Sequence, residues 1–241
     1  MRSRSGNGFV SLISAISMLG IAIAVAVLII VLSVVNGFER ELKGRLLAMS
    51  AHASIEDPEG ALREWPTLIN MAVQNDRVQA AAPYVDGQGL LVFGSRLSGA
   101  ELRGIEPDFE SAVSGIDDVM TDGDLHSLRA GAFNIVLGVE LANALQVSVG
   151  DKLTVTLADG IVTPAGIIPR NKRFTVTGLY RVGMYEFDRR LAFINLGDAQ
   201  RLYRMRDSVS GVRLAVTDIF RAAEIVREVA LDAGGGVLIS D

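Results

Sequence analysis

From Phe9 to Val35 the chain carries no charged residue, an uninterrupted run of 27 positions rich in Ile, Val, Leu and Ala. As a helix such a run would be about 40 Å long against a hydrocarbon core of about 30 Å, enough to cross a bilayer with some tilt. No second run of that length occurs in the 241 residues. The pattern excludes a purely soluble chain, a disordered one, and a polytopic membrane protein within these residues. The run is well beyond the length of a signal-peptide core, about 15 residues at most. Asn36-Gly37-Phe38-Glu39 follows it, with no small-x-small cleavage site. An uncleaved anchor is expected.

Charge sets the orientation. Only Arg2 and Arg4 precede the run, and all 28 acidic residues lie beyond it. The positive-inside bias predicts a cytoplasmic N-terminus over residues 1–8, a transmembrane helix over 9–35, and an exported remainder. With 21 of the 23 basic residues, that remainder carries a net charge of −7, which argues against nucleic acid as a partner. The chain has no cysteine, so it has no disulfide, no thiolate metal site and no thiol for lipid attachment. Ser11, Ser14 and Ser17 fall on one helix face. Their hydroxyls either bond back to backbone carbonyls or let another membrane helix approach closely.

Beyond the apolar run, Phe38, Leu42, Leu46 and Met49 continue a helical period with charges between them. This predicts an amphipathic stalk over 36–50, leading into a domain over 51–241. Strands are expected at His52–Ile55, Val78–Val85, Leu90–Phe93, Ala100–Ile105 and Phe133–Leu137, and helices at Leu62–Val73 and from about Val139. Ser114 to Ala130 reads as a polar stretch. Leu153, Val155 and Leu157 alternate with threonines as in a half-buried strand. The pattern breaks from Ala158 to Arg170 and resumes at Phe174. Further strands are expected at Leu191–Ile194, Val212–Val216 and Val237–Ile239, and helices at Asp198–Met205 and Ile219–Leu231. Turns are expected at Asp57-Pro58-Glu59-Gly60, at Ser148 to Asp151 and at Gly234–Gly236. The mixture lacks a strict βαβ rhythm, so the fold class is α+β. A strand opening in the last five residues suggests that a C-terminal part is missing.

Catalytic chemistry is not written into the sequence. The phosphate-cradling Gly-x-x-x-x-Gly-Lys-Ser/Thr motif and the Gly-x-Ser-x-Gly elbow are both absent. His52 and His126 lack metal-ligand spacing. Asp117, Asp118, Asp122 and Asp124 lack the spacing and the bidentate glutamate of a calcium loop. No cofactor, metal or catalytic residue is expected.

One loop stands out. Pro164 and Pro169 stiffen a segment between two strands, with Ile167 and Ile168 between them and Arg170, Lys172 and Arg173 after them. Either it is a rigid apolar tip on a basic base, suited to docking a partner with an acidic surface, or a long hairpin whose isoleucines fold back onto the sheet.

These features resemble a known family. The resemblance rests on Val34-Val35-Asn36-Gly37-Phe38-Glu39-Arg40-Glu41-Leu42, on Gly138-Val139-Glu140-Leu141-Ala142, on Leu145-x-Val147-x-Val149-Gly150-Asp151, and on Thr163-Pro164 to Pro169 followed by Phe174-Thr175-Val176-Thr177-Gly178. Together they look like the permease subunits of the bacterial lipoprotein-releasing ABC transporter, the LolC/LolE type. The resemblance implies an N-terminal transmembrane helix followed by a mixed α/β periplasmic domain of the MacB-like type, in the inner membrane. It implies a non-catalytic permease that works with a cytoplasmic ATPase of the LolD type and a second, identical or homologous, permease. Lipoproteins would be extracted from membrane lipid and passed to a periplasmic carrier of the LolA type. It places the carrier-docking hook within loop 158–173, at Thr163, Pro164, Ala165, Gly166, Ile167, Ile168, Pro169, Arg170, Lys172 and Arg173. Ala165 stands where a bulkier apolar residue would be expected. A hook is a LolC-like feature, so the likeness is to LolC or to a hybrid permease. It assigns coupling to the membrane domain to Asn36, Gly37, Phe38 and Glu39. The alternatives are a related MacB-like drug or peptide export permease, and a single-span anchored sensor or adhesion module.

Overall fold

The computed structural model describes residues 6–49, 53–57, 61–163, 166–218, 221–232 and 238–240. The chain divides into two compact units, residues 1–47 and 48–241. The first unit is the apolar run realised as helix. α1 (Gly6–Met49) is a single 44-residue helix continuing past the uncharged stretch without a break. Its segment Ser11–Phe38 is long and apolar enough to cross a membrane.

The second unit is built on one long strand. β2 (Val78–Phe93) has 16 residues. Its first half pairs antiparallel with β9 (Gly211–Val216), and Leu90 to Val92 pair with β6 (Lys152–Thr163). On its other side it pairs from Tyr84 to Phe93 with β3 (Arg96–Ile105), across a two-residue turn at Gly94-Ser95. β9 continues to β1 (Ala53–Glu56) and then to β10 (Leu238–Ser240). β3 pairs in parallel with β8 (Leu191–Asn195), and β8 runs antiparallel to β5 (Asn134–Gly138). β5 lies parallel to β7 (Gly166–Tyr180), whose two ends pair with β6 and with β4 (Met120–Gly123). Because β6 also pairs with β2, the ladder β2-β3-β8-β5-β7-β6 closes on itself. Closure removes the exposed edges that an open sheet would present.

Alternating strand residues fill the ring. Leu91, Leu102, Ile135, Leu137, Leu153, Val155, Phe174, Val176 and Ile194 are all buried in one cluster. A second cluster, on Ile105, Val136, Tyr180 and Phe193, takes in Ile116, Leu125 and Leu128. The stretch expected to be polar, Ser114 to Ala130, therefore contributes three fully buried side chains, Ile116, Leu125 and Leu128, in and beside its two short 3-10 turns. Their spacing matches neither period 2 nor period 3.6, so no pattern exposes them.

Helices pack around the strands. α2 (Trp65–Ala72) begins later than expected, because Leu62 forms an isolated bridge with Val209. α3 (Pro107–Val113) opens on a proline directly after β3. Proline is well suited to a first helical turn, where its missing N–H has no intrahelical partner. α4 (Val139–Leu145) and α6 (Leu196–Tyr203) fall close to expectation, and α5 (Tyr185–Arg190) is additional. α7 (Ala222–Asp232) buries Ala222, Ile225, Val226 and Val229, on the face its periodicity indicates. The turn at Pro58–Gly60, the helix start at 219–220 and the turn at Gly234–Gly236 lie outside the described residues.

α3 docks on the sheet through a buried ion pair. Arg213 of β9 pairs with Glu110, whose side chain is 1% exposed and also accepts a hydrogen bond from Ser114 Oγ at 2.7 Å. The Tyr84 ring lies 5.6 Å from the Arg213 guanidinium and 5.7 Å from that of Arg103. Arg103 in turn donates twice to Asp86, at 2.7 and 3.0 Å. Tyr84 Oη donates to Glu56 Oε1 at 2.7 Å. Burial, together with the bond to Glu56, raises the Tyr84 phenol far above its ordinary value, so it stays a neutral donor.

Two substitutions probe this packing. A Cβ at Gly104 would sit 2.2 Å from the Ala199 Cβ on α6. Gly104→Ala therefore forces the helix outward and lowers stability by about 1–3 kcal/mol in urea unfolding. Glu110→Ala strands the Arg213 charge and costs about 3–5 kcal/mol, with the largest gain in amide exchange expected in α3.

Candidate docking hairpin and its basic base

Residues 158–163 and 166–173 lie in two strand arms and not in the irregular loop expected from the glycines and prolines there. Lys152 to Leu157 pair with Thr175 to Arg170, and Ile161 to Thr163 pair with Ile168 to Gly166. Between these two blocks, residues 158–160 face Pro169 alone. A proline cannot donate a ladder hydrogen bond, and a bulge is the place where a strand tolerates one. Thr163 ends β6, and Gly166, Ile167, Ile168 and Pro169 open β7. Pro164 and Ala165 lie outside the described residues. The arms are anchored where Thr154 to Thr156 pair with Leu90 to Val92 of β2.

The row of side chains along β7 changes character. Phe174, Lys172 and Arg170 are the cross-strand partners of Leu153, Val155 and Leu157, all three of which are buried. Partners share a face, so the core-facing row turns from apolar to cationic toward the hairpin tip. Arg173 and Asn171 alternate to the opposite face. Arg170 Nη1 donates to the Leu202 carbonyl at 3.2 Å, while its buried Nε has no partner. Lys172 Nζ stands 3.5 Å from the centroid of the Phe133 ring, and that ring meets Phe174 edge-on at 5.6 Å.

Phe133 is itself held from below. Its backbone is left-handed, with φ 52°. The fully buried carboxylate of Asp198, in the first turn of α6, accepts from Gly131 N at 2.7 Å and Phe133 N at 2.9 Å. Two charge-assisted bonds therefore fix the strained turn that seats Lys172. The exposed Arg201 guanidinium lies 3.5 Å from Asp198. Phe133, Arg170, Lys172, Arg201 and Arg204 line an open groove of about 480 Å³.

The expected hairpin residues Arg170 and Lys172 thus come together with groups that were not expected at the site: Phe133, Asp198, Arg201 and Arg204. Three arginines within six residues, Arg201, Arg204 and Arg206, were the available signal in an otherwise acidic domain. Asn36, Gly37, Phe38 and Glu39, expected to couple to the membrane domain, all lie in α1, with Phe38 65% exposed. Asp124 accepts from His126 N at 2.9 Å, so it caps a 3-10 turn. Among the described residues no group of three or more His, Asp or Glu side chains could hold a metal ion.

The family profile of MacB-like periplasmic core domains matches residues 14–230. The chain belongs to that family. Within it, the likeness to the LolC/LolE type runs along the full sequence. The chain is 43% identical over 241 residues to the lipoprotein-releasing system transmembrane protein LolC of Xylella fastidiosa (strain 9a5c), covering all of this chain and 58% of that protein. It is 43% identical over 218 residues to LolC of Neisseria meningitidis serogroup B, covering 90% of this chain and 52% of that one. It is 31% identical over 229 residues to LolE of Haemophilus influenzae, covering 93% and 55%. The chain therefore spans little more than half the length of these relatives. Among solved structures, the periplasmic region of MacB from Actinobacillus actinomycetemcomitans aligns with a TM-score of 0.52 at 13% identity, over 78% of this chain and 87% of that one. That likeness concerns the fold.

Asp198→Ala should lower stability by about 3 kcal/mol, because it leaves two backbone N–H groups without their acceptor. Denaturant unfolding measures the loss. Asp198→Asn, which keeps one acceptor oxygen, should recover part of it.

Proposed function

We propose that this chain is part of the permease subunit of an ABC transporter that extracts lipoproteins from the inner membrane and hands them to a carrier docked on the β6–β7 hairpin. The observation that carries the reading is the 43% identity with LolC along the whole chain. In this reading α1 lies in the bilayer with Arg2 and Arg4 on the cytoplasmic side. A separate cytoplasmic ATPase of the LolD type supplies the energy, and a second permease, identical or homologous, completes the membrane path. The chain itself makes and breaks no bonds. Unbroken helix through Asn36, Gly37, Phe38 and Glu39 supports a role for these residues in coupling membrane-domain motion to the exported domain.

The physics favours a docked acceptor. Exposing an acyl chain of about 15 methylenes to water costs on the order of 12 kcal/mol, at about 0.8 kcal/mol per CH₂. Free release is therefore negligible, and transfer needs a partner already in place. A bulged hairpin with Pro164 and Pro169 near its end limits the entropy lost when a partner orders it. Arg170, Lys172 and Arg173 at its base suit an acidic carrier surface. The carrier would be a LolA-type periplasmic protein.

The test uses the full-length permease with its ATPase and permease partners in nanodiscs, and the purified carrier. Photo-crosslinkers at Ile167 and Ile168 should capture the carrier. Ile167→Ser together with Ile168→Ser should reduce lipoprotein transfer at least tenfold while ATP hydrolysis persists. Absence of any crosslink in an assembled, hydrolysing complex overturns the docking assignment.

A further inference from the structure

The groove at the hairpin base does not end at β7. A second depression of about 700 Å³, lined by Gly197, Gln200, Arg201, Arg204, Arg206 and Asp207, shares Arg201 and Arg204 with the first. The two depressions border on the same two arginines and together make up a cationic trough. One wall is β7, with Arg170 and Lys172, and the other is α6 and the turn after it. Five cations line it in a segment whose net charge is −7. Exposed acid is sparse there. Asp198 is fully buried and spends both oxygens on backbone N–H groups, which leaves Asp207 as the exposed carboxylate of the lining. Among the described residues neither Arg204 nor Arg206 has an ion-pair partner, unlike Arg201 beside them, which lies 3.5 Å from Asp198.

The turn that presents these arginines is unusual in its own right. Arg204 and Arg206 both adopt left-handed backbone, with φ 61° and 55°. Gly or Asn fills such positions more cheaply. Two arginines in place of cheaper residues concentrate charge at one point of the surface, away from the acids that neutralise it elsewhere.

We infer that the trough formed by β7 and the turn after α6 receives an acidic segment of the protein docked on the β6–β7 hairpin, with Arg204 and Arg206 as its far wall. This inference rests on the docking reading above and extends it to a second, sequence-distant element. A planar guanidinium pairs with a carboxylate through two parallel hydrogen bonds, so the trough selects Asp and Glu side chains by geometry as well as by sign. Continuity with the hairpin base favours a protein carboxylate over a lipid headgroup, because one docked partner could touch both. Exposed pairs of this kind act mainly on encounter and register.

The test compares Arg204→Asn with Arg206→Asn, as a double variant, against the Ile167→Ser and Ile168→Ser pair. Asparagine tolerates left-handed backbone, so the charge goes and the turn stays. Each full-length protein is placed with its partners in neutral-lipid nanodiscs, and affinity for the purified periplasmic carrier is measured at low and at physiological salt. The expected result is a loss of about fivefold at low salt, mostly in the association rate, and a shallower salt dependence. Restoring charge with Arg204→Lys and Arg206→Lys should recover most of it. Unchanged affinity and salt dependence in the Asn variant, with binding still lost in the isoleucine variant, overturns the trough and leaves the hairpin assignment standing. Failure of the unaltered protein to bind carrier overturns both. A variant that binds carrier normally but loses capture of phosphatidylglycerol vesicles assigns the trough to lipid, and the inference fails.

Discussion

The domain depends on β2 running straight through Asp86-Gly87-Gln88-Gly89. Its first half belongs to the β9-β1-β10 side of the sheet, and its last residues carry β6 and with it the hairpin. A chain reversal at the two glycines would divide the sheet and leave β6 without its partner. The glycines act by absence of side chain. A Cβ at Gly87 would lie 2.2 Å from the Tyr203 ring, and one at Gly89 would lie 2.8 Å from Leu102 Cδ1 and 3.2 Å from Val155 Cγ1. Gly87 lets α6 lie against the strand, and Gly89 lets the ring close tightly where β6 joins. Both structural walls of the trough are thus placed by one tetrapeptide.

Where local pattern and tertiary packing agree, the sequence was readable. Leu153, Val155 and Leu157 alternate because one face of β6 meets the core, and all three are buried. The stretch from Phe133 through Gly138 to Leu145 was legible as strand then helix, because β-branched and helix-forming residues separate cleanly at the glycine. Val78–Val85 and Leu90–Phe93 read as two strands where there is one, because glycine has two uses, positive φ and close approach, and the sequence of Asp86 to Gly89 does not tell them apart. The same ambiguity turned Ala158 to Arg170 into a loop. A bulge opposite Pro169 was not visible without the partner strand.

The site shows the same division more sharply. Its candidate hairpin residues stand out through prolines and a basic cluster in one stretch. Asp198 and Phe133 were missed because their roles exist only across 65 residues of sequence, in the bond from Phe133 N to the Asp198 carboxylate. An aspartate in a first helical turn reads as an ordinary favourable charge near the helix N-terminus. Here the carboxylate is turned away from its own helix to hold a neighbouring loop.

The buried pair of Glu110 and Arg213 and the exposed cations of the trough show two uses of charge in one domain. The first is desolvated on both sides and fixes where α3 sits on the sheet, a matter of geometry more than of net stability. Of the second, Arg204 and Arg206 are exposed and hydrated, so each contact they make is worth about 0–1 kcal/mol and is screened beyond about 8–10 Å. In the proposed hand-off a carrier is loaded and then let go, and for that weak solvated contacts have the right magnitude. Under that proposal they would draw and orient the partner without adding much to the barrier for its departure, and the hairpin would set how long it stays. Strong buried pairs at the same place would hold the loaded carrier and halt turnover. The proposed hand-off therefore calls for charge at the base and apolar contact at the tip, the order in which Lys172 and Arg170, then Ile168 and Ile167, occur along β7 toward its start.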